Sequence, residues 1–378
     1  MIVGLFMEML SAGGVQRVSR HVAAVTANLA AERGLAYRFL SFTDPQGLHT
    51  VRVGSHEFQF SGHARDKSQF VLAALRAAGR QPVLVIALHP HLAPIVAAMR
   101  FRSGKFRSIV FAHGLEVWQP LGWPRGAALR NSDLVTAPSR DTAQHLISDQ
   151  KISAKKVRQL AWGLDPEFEA RLQTQIAPAR PAAFPGGARI ILTVGRWDPN
   201  DRYKGADTLI SVLPRVLEIV PDAVLILVGD GDDRPRLEQL AGKSGVADHI
   251  DFLFGLSQAE LFACYAHCDV FALPSRGEGF GLVFLEAMAN SKPVIGGAHG
   301  GTPDVIEDGV SGLLVPHGDL ATLSNALVSL LTDPGRASEM GAQGRRRVQG
   351  NYTFEQFQSG LSRLLDEFLS GNPDTSSQ

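Results

Sequence analysis

The chain has 378 residues, of which 45% are hydrophobic and 20% charged, with 37 basic and 37 acidic side chains. This length exceeds the usual size of a single hydrophobic core and predicts two domains. The balanced charge, without a nucleic-acid-binding motif, argues against nucleic acid as a partner. No apolar run approaches the roughly 20 residues of a membrane-spanning helix, and Met1 leads into a strand without a basic leader. We therefore expect a cytoplasmic protein.

The charges are unevenly distributed along the chain. Residues 1–185 carry 22 basic and 12 acidic side chains, a net charge of +10, and residues 186–378 carry 15 and 25, a net charge of −10. A basic half suggests an anionic partner, such as a membrane surface or a phosphate-bearing acceptor. The alternative is that the two halves attract each other. Basic and aromatic residues also alternate in one short segment, which fits either an anionic bilayer or a solvated loop: Arg100, Phe101, Arg102, Lys105, Phe106 and Arg107.

Apolar runs alternate with amphipathic segments throughout the first half of the chain. This alternation predicts a parallel sheet with helices on both faces. Strands are predicted at residues 2–6, 36–42, 83–87, 108–112, 133–137 and 155–162, and helices at residues 15–33, 67–78, 91–99 and 140–147.

Loops at the carboxyl ends of these strands hold the candidate residues of the first half. Gly13 and Gly14 separate the first strand from the first helix, an arrangement typical of phosphate-binding loops, although it lacks the G-x-G-x-x-G spacing. His113 and Glu116 follow a later strand at the edge where ligands bind to such sheets. These residues are candidates for contact with a ligand. The alternatives are a simple tight turn at the glycines and a structural role for the histidine.

His89-Pro90-His91 follows another predicted strand and superficially resembles a pair of metal ligands. The proline between the two histidines and the lack of carboxylates nearby favour a loop that lines the cleft.

Residues 177–188 contain three prolines and two glycines and are predicted to be the linker between two domains. A buried strand at 189–194 then leads to Arg196, and Lys204 precedes an amphipathic helix at 206–219. One arginine and one lysine after a first strand could neutralise a diphosphate leaving group.

The most informative segment is residues 274–289, PSRGEGFGLVFLEAMA. A buried strand at 270–273 breaks into a loop with three glycines, and a helix starts near Gly281. Close backbone amides and the helix dipole suit a phosphate or several hydroxyls. Glu278 in the loop and Glu286 in the helix could both point into one cleft. An ordinary helix-capping loop with solvated acids is the alternative.

Two further features argue against a metal site. Cys264 and Cys268 are the only cysteines, and their spacing on a core helix favours packing in a reduced compartment over metal binding. Asp230 and Asp232 form a D-x-D pattern, but their acidic surroundings and separate loop make them poor candidates for a metal-bound diphosphate.

The spacing of Glu278 and Glu286, E-x7-E, resembles the signature of retaining glycosyltransferases of family 4. The Gly-Gly loop, the strand-end histidine and the G-R…K-G pair occur in the order found in that family, so the resemblance covers nearly the whole chain. It implies the α/β GT-B fold: two Rossmann-like, doubly wound domains that face a cleft, with a C-terminal helix that crosses back to the first domain.

The implied domain plan has five parts. An acceptor-binding domain at 1–176 and the linker at 177–188 precede a nucleotide-sugar-binding domain at 189–350. A crossover helix at 351–370 packs on the first domain, and residues 371–378 form a disordered tail.

The resemblance also implies roles for individual residues. Glu278 would meet hydroxyls of the donor sugar and Glu286 the ribose, while Arg196 and Lys204 bind the diphosphate. His113 would lie near the donor sugar and the reaction centre, and Glu116 is a weaker candidate on the acceptor side. The remaining implied contacts are Gly13, Gly14, Gly279, Phe280, Gly281 and Leu282 for the donor, and Phe254 and Gly255 for the nucleobase.

We therefore predict transfer of a hexose-type sugar from a UDP- or GDP-sugar, with retention of configuration and without a metal or other cofactor. The predicted acceptor is a hydroxyl of a glycan or lipid-linked glycan in polysaccharide, lipopolysaccharide or glycolipid biosynthesis. Peripheral attachment to the inner face of the membrane is a further expectation. The alternatives are a sugar-nucleotide 2-epimerase and a non-catalytic scaffold that binds sugar nucleotides.

Overall fold

The computed structural model describes residues 1–104, 106–174 and 177–370 and divides into two compact units. The first unit contains Met1–Glu167 together with the chain from Phe354 onward, and the second contains Phe168–Thr353. The predicted disordered tail at 371–378 lies outside the described residues. None of the helices in the described ranges is long and apolar enough to cross a membrane.

The first unit is built on an eight-stranded sheet in the order β3-β4-β2-β1-β5-β6-β7-β8, parallel except for the β3–β4 pair. Its strands are β1 (Ile2–Phe6), β2 (Tyr37–Ser41), β3 (Gly47–Val53), β4 (His56–Gly62), β5 (Leu84–Ala87), β6 (Arg107–Phe111), β7 (Leu134–Ala137) and β8 (Val157–Gln159). Its helices are α1 (Gly14–Glu32), α2 (Lys67–Ala78), α3 (Ala93–Ser103), α4 (Arg125–Arg130), α5 (Arg140–Ser148) and, at the chain end, α14 (Phe354–Ser370), and α6 (Pro166–Gln173) spans the boundary.

Buried apolar runs explain the central strands, because β1, β5 and β7 are buried at every position and each is followed by a helix. A side-chain cap defines the start of α5, where the Ser139 hydroxyl accepts a hydrogen bond from the Thr142 amide. Helix α3 begins two residues later than predicted, because a single 3-10 turn, Pro90–Leu92, precedes it.

The antiparallel hairpin of β3 and β4 was not predicted. Val51 pairs with Phe58 and Val53 with His56, around a two-residue turn at Gly54-Ser55. The signal was present, since apolar residues alternate on both sides of the Gly-Ser pair.

Helix α14 packs against α1 within the first unit. The Phe354 ring lies 5.1 Å from that of the buried His21, and Arg33 forms a 2.7 Å ion pair with Asp366. Arg107 donates a 3.0 Å hydrogen bond to a main-chain carbonyl near the end of α14. The last helix therefore contributes to the core of the unit in which the chain begins.

The second unit is built on a fully parallel six-stranded sheet in the order β11-β10-β9-β12-β13-β14. Its strands are β9 (Arg189–Val194), β10 (Ala223–Val228), β11 (Ile250–Leu253), β12 (Val270–Leu273), β13 (Val294–Gly297) and β14 (Leu313–Val315). Its helices are α7 (Ala206–Leu217), α8 (Arg234–Lys243), α9 (Gln258–His267), α10 (Leu282–Ala289), α11 (Thr302–Val305), α12 (Leu320–Thr332) and α13 (Pro334–Asn351).

Glycines at the carboxyl edge of this sheet let two loops approach each other by their main chains. A β-carbon on Gly297 would lie 1.8 Å from the carbonyl oxygen of Ser275, and one on Gly301 would lie 2.3 Å from that of Gly279. Only a residue without a side chain fits in either place. The loop before α10 is therefore fixed against the loop after β13.

We predict that Gly297→Ala destabilises the protein by about 2–4 kcal/mol, because the added methyl group forces main chain away from main chain. Chemical denaturation measures this change. Gly350→Ala is the matched control, since its β-carbon meets nothing within 4 Å on the exposed side of α13. The control should gain roughly 0.5–1 kcal/mol from helix propensity. Equal midpoints for wild type and Gly297→Ala would contradict the proposed contact.

Candidate active site

The loop after β9 presents a guanidinium group. Arg196 Nε donates a 2.6 Å hydrogen bond to Asp201 Oδ2, and this bond raises the pKa of the arginine. Asp201 is buried, whereas the Arg196 side chain is 69% exposed. Asp201 therefore orients a cation whose outer part can still reach a ligand.

Lys204 ends a 3-10 segment, Pro199–Lys204, in the same loop. Its Cδ would lie 3.3 Å from a β-carbon on Gly195, so the two ends of the loop are in contact. The ammonium group of Lys204 is close enough to Glu278 to lower the pKa of that carboxyl group. The loops after β9 and β12, on neighbouring strands, thus bring the predicted pair of cations and the first predicted carboxylate together.

The carboxyl group of Glu278 has a pKa that its surroundings shift. Burial raises its pKa, Lys204 opposes the rise and Asp201 adds to it. Oxygen Oε1 is buried and has no hydrogen-bond partner among the described residues. The main chain is fixed, because the Glu278 carbonyl accepts a 2.6 Å hydrogen bond from the Gly301 amide. An unpaired carboxylate oxygen of this kind can accept a hydrogen bond from a ligand hydroxyl.

Helix α10 begins directly after the loop that contains Glu278. Gly281 has φ +98° and ψ 59°, a left-handed conformation suited to glycine, and no side chain caps the helix. The first amides of α10, beginning at Leu282, are therefore available to an anion or a hydroxyl. Phe280 is buried with its ring 5.8 Å from that of Tyr352, so only its main chain can serve a ligand.

Glu286, the second predicted carboxylate, is buried inside α10. Its Oε2 accepts a 2.6 Å hydrogen bond from the hydroxyl of Tyr265 in α9. This partner could not be predicted from the sequence, because no local pattern connects residues that lie on different helices.

The predicted nucleobase residues follow β11. The Phe254 ring is exposed, and the guanidinium carbon of Arg234 lies 4.6 Å from its centroid. Gly255 has φ +64° and open space around its α-carbon. An exposed aromatic ring beside an open backbone can stack on a base.

In the first unit, the predicted Gly-Gly loop lies between β1 and α1 with both glycines exposed. Gly13 has φ +149° and ends the loop. Asp44 accepts hydrogen bonds from the amides of Met9 and Leu10, at 2.8 and 3.1 Å, and Arg20 donates one to the Met9 carbonyl. The loop is therefore supported on both sides.

His113 follows β6 and is buried. Its Nε2 lies 2.6 Å from the Leu88 carbonyl, while Nδ1 is buried without a partner in the described part of the chain. Glu116 Oε1 accepts a 2.6 Å hydrogen bond from the His113 amide. Glu116 thus supports the histidine loop, a role that competes with the predicted contact to an acceptor.

The cysteines and acidic loops form no metal centre in the described ranges, where no group of three or more His, Cys, Asp or Glu side chains could hold an ion. Cys264 and Cys268 are buried, and burial raises the pKa of their thiols to about 11 and about 12. Asp201, Tyr203 and Tyr265 were not predicted from the sequence. Tyr203 belongs to the site because burial and the nearby Glu278 raise the pKa of its hydroxyl. Asp201 and Tyr203 lie in the same short loop as the two predicted cations, which was the available signal.

We predict that Glu278→Gln increases the stability of the protein above pH 4.5. Folding raises the pKa of the buried Glu278 carboxyl group, so the wild-type protein becomes less stable as the pH rises past the pKa that this group has in the unfolded chain. The wild type and the variant should have the same stability at about pH 4 and diverge towards pH 7, which denaturation at several pH values measures. Glu218→Gln, which removes an exposed carboxylate in the same unit, should show no such divergence. A Glu278→Gln variant that is less stable than wild type at pH 7 would contradict the placement.

Comparison with family models divides the chain in two. Residues 12–168 match the model described as Glycosyltransferase Family 4, and residues 178–347 match the model described as Glycosyl transferases group 1. The chain is 35% identical, over 275 residues, to the GDP-mannose-dependent alpha-(1-6)-phosphatidylinositol monomannoside mannosyltransferase of Mycolicibacterium smegmatis, a match that covers 70% of this chain and 71% of the relative. The monoacylated-substrate mannosyltransferase of the same type from Corynebacterium glutamicum is 30% identical over 299 residues, 72% of this chain and 73% of that one.

Solved structures share the whole fold. Sucrose-phosphate synthase from Thermosynechococcus elongatus superposes with a TM-score of 0.78 at 24% identity and covers 98% of this chain and 100% of its own. HepE of Anabaena, solved with UDP, gives a TM-score of 0.72 at 18% identity over 97% of this chain and 99% of its own. The predicted fold is confirmed: the chain belongs to glycosyltransferase family 4 and has the two Rossmann-like domains of the GT-B fold.

Proposed function

We propose that this protein transfers mannose from GDP-mannose to a hydroxyl of a membrane glycolipid, with retention of the anomeric configuration. The observation that carries the proposal is the grouping of Arg196, Lys204 and Glu278 at neighbouring strand ends of the second unit. Two curated relatives with 30–35% identity are named as GDP-mannose-dependent mannosyltransferases that act on phosphatidylinositol monomannosides, which supports this choice of donor and acceptor class.

In the proposed reaction, the bond between the anomeric carbon and the diphosphate breaks while the acceptor oxygen attacks from the same face. Arg196 and Lys204 stabilise the negative charge that develops on the diphosphate, and the amides at the start of α10 add to this effect. The acceptor proton passes to the departing phosphate oxygen. Glu278 accepts a hydrogen bond from a sugar hydroxyl through its unpaired oxygen.

The other donor contacts are also proposals. Glu286 would hold the ribose with its carboxylate oriented by Tyr265, and Phe254 and Gly255 would border the guanine. His113 would contact a sugar hydroxyl, and Gly13 and Gly14 would contact the donor. Metal independence belongs to the same proposal, since the two cationic side chains take the place of a metal on the diphosphate. Chelation with EDTA should then leave turnover unchanged.

The two alternatives from the sequence have less support. An epimerase would convert the donor alone, and a scaffold would bind it without turnover, whereas both named relatives are transferases. The distinguishing experiment incubates GDP-mannose with and without a phosphatidylinositol monomannoside and follows the product by mass spectrometry and NMR. An α-linked dimannoside that forms only with acceptor supports the proposal.

We predict that Arg196→Ala and Lys204→Ala each lower kcat by about 10²–10³ at saturating GDP-mannose, because each removes a cation that stabilises the transition state. Steady-state transfer measures this. Arg215→Ala, which removes an exposed arginine of α7, is the matched control and should keep wild-type turnover. Unchanged kcat in both cation variants would refute the assigned role even if mannose transfer is observed.

Attachment to an anionic membrane surface is the remaining proposal. The basic and aromatic segment near α3 is partly engaged: Arg100 pairs with Asp133, and Arg107 bonds to the chain at Phe368. Phe101, at 96% exposure, and the exposed Arg102 remain directed to solvent, and Lys105 lies outside the described residues. A protruding aromatic ring beside a cation suits an anionic bilayer.

We predict that Phe101→Asp with Arg102→Glu weakens co-sedimentation with anionic phosphatidylglycerol vesicles several-fold, because it reverses the charge and removes the apolar anchor. Raising the salt concentration should weaken wild-type binding in the same way. Leu72→Asp with Arg52→Glu changes an exposed pair elsewhere in the unit and serves as the control. Salt-independent binding would contradict the proposal.

A further inference from the structure

His89 lies at the switch point of the first sheet. Strand β1 pairs with β2 on one side and with β5 on the other, so the loops after β1 and β5 leave the sheet in opposite directions. Ligands of doubly wound sheets bind in the crevice that this divergence opens. His89 directly follows Leu88 at the end of β5, and the Gly13 loop follows β1.

The hydrogen bonds of His89 define its tautomer. The amide of His91 donates to His89 Nδ1 at 3.1 Å and thereby caps the 3-10 turn Pro90–Leu92. Nδ1 must therefore carry a lone pair, and the proton of the neutral ring is on Nε2. Burial, with His113, His91 and Arg125 nearby, lowers the pKa of His89 to about 3, so the ring is neutral throughout the physiological range.

The other nitrogen of His89 remains available. Within the described part of the chain, Nε2 has no hydrogen-bond partner, and the residue is half-buried rather than exposed. A fixed N–H donor in a crevice is a group that a ligand oxygen can satisfy.

His113 offers the complementary group on the neighbouring strand end. In the neutral ring, in which Nε2 donates to the Leu88 carbonyl, Nδ1 carries a lone pair, and that atom is buried without a partner among the described residues. The residue is 6% exposed. The ring centroids of His89 and His113 are 5.8 Å apart, and the ring planes are tilted by 31°. Trp162 packs against His113, with a distance of 5.6 Å between the two ring centroids.

We propose that His89 Nε2–H and His113 Nδ1 together bind one carbohydrate hydroxyl, which accepts a hydrogen bond from His89 and donates one to His113. His89 is thus a further substrate-binding residue, an inference that rests on the transferase function proposed above. The pair selects a hydroxyl over a phosphate or carboxylate, because an ionised oxygen has no proton to give to Nδ1. The hydroxyl can come from the donor sugar or from the acceptor.

The first test compares three variants in the transfer assay. His89→Phe keeps the ring packing but removes both nitrogens, and kcat/KM should fall about 5- to 30-fold, as expected for losing a hydrogen bond to a neutral group. His89→Gln, whose side-chain amide can place an N–H near the position of Nε2, should recover most of that loss. His49→Phe, which makes the same exchange on the edge strand β3, where the ring stacks on Phe60, should keep wild-type kcat/KM. Thermal unfolding verifies that each variant is folded.

The second test locates the hydroxyl with monodeoxy analogues of GDP-mannose in one arm and of the mannoside acceptor in the other. At one position, the deoxy substrate should erase the difference between wild type and His89→Phe, and the same position should erase the effect of His113→Phe. The arm in which this occurs identifies the source of the hydroxyl.

The outcomes separate the two hypotheses. Wild-type protein that transfers no mannose contradicts the proposed function. Wild-type protein that transfers mannose overturns the present inference alone if His89→Phe keeps wild-type kcat/KM, if no analogue erases the difference, or if the two histidine variants respond to different positions.

Discussion

Contact of main chain with main chain at the carboxyl edge of the second sheet is the constraint on which the candidate site depends. The Ser275 carbonyl meets the α-carbon of Gly297, and the Gly279 carbonyl meets that of Gly301, with no space for a side chain in either contact. These contacts hold the loop that contains Glu278, and this loop leads directly into α10. The positions of the carboxylate and of the helix amides are thus set by backbone packing, which is stiffer than side-chain packing.

Buried polar atoms without hydrogen-bond partners are concentrated at the same edge of the sheet. Among the described residues of the second unit, the buried polar atoms without partners belong to Thr193, Trp197, Ser275, Glu278 and Thr302, all on β9 or on loops and turns that follow β9, β12 and β13. Each such atom costs stability, of order 1–3 kcal/mol, when nothing satisfies it. Their concentration at one edge, together with the raised pKa of Glu278, makes this edge the candidate ligand site of the second unit.

Much of the fold could be read from the sequence because the central strands are continuous buried runs. β1, β9 and β12 have the predicted bounds, and the strand-loop-helix order places Arg196, Lys204 and Glu278 at neighbouring loops. The β3–β4 hairpin was overlooked because its half-exposed strands lack the continuous apolar runs that identify the central strands. Pairings between distant elements, such as Tyr265 with Glu286 at 2.6 Å, depend on tertiary packing and have no local signature.

The path of the chain has a consequence for its synthesis. Helix α14, the last 17 described residues, completes the unit that begins at Met1, and the whole second unit is made in between. On the ribosome, the flank of α1 around His21 therefore stays uncovered until residues 354–370 have been synthesised. A chain that ends before residue 354 would contain one complete unit and one unit in which the apolar surface of α1 that α14 normally covers is exposed. Exposed apolar surface of this kind is bound by chaperones and cleaved by quality-control proteases.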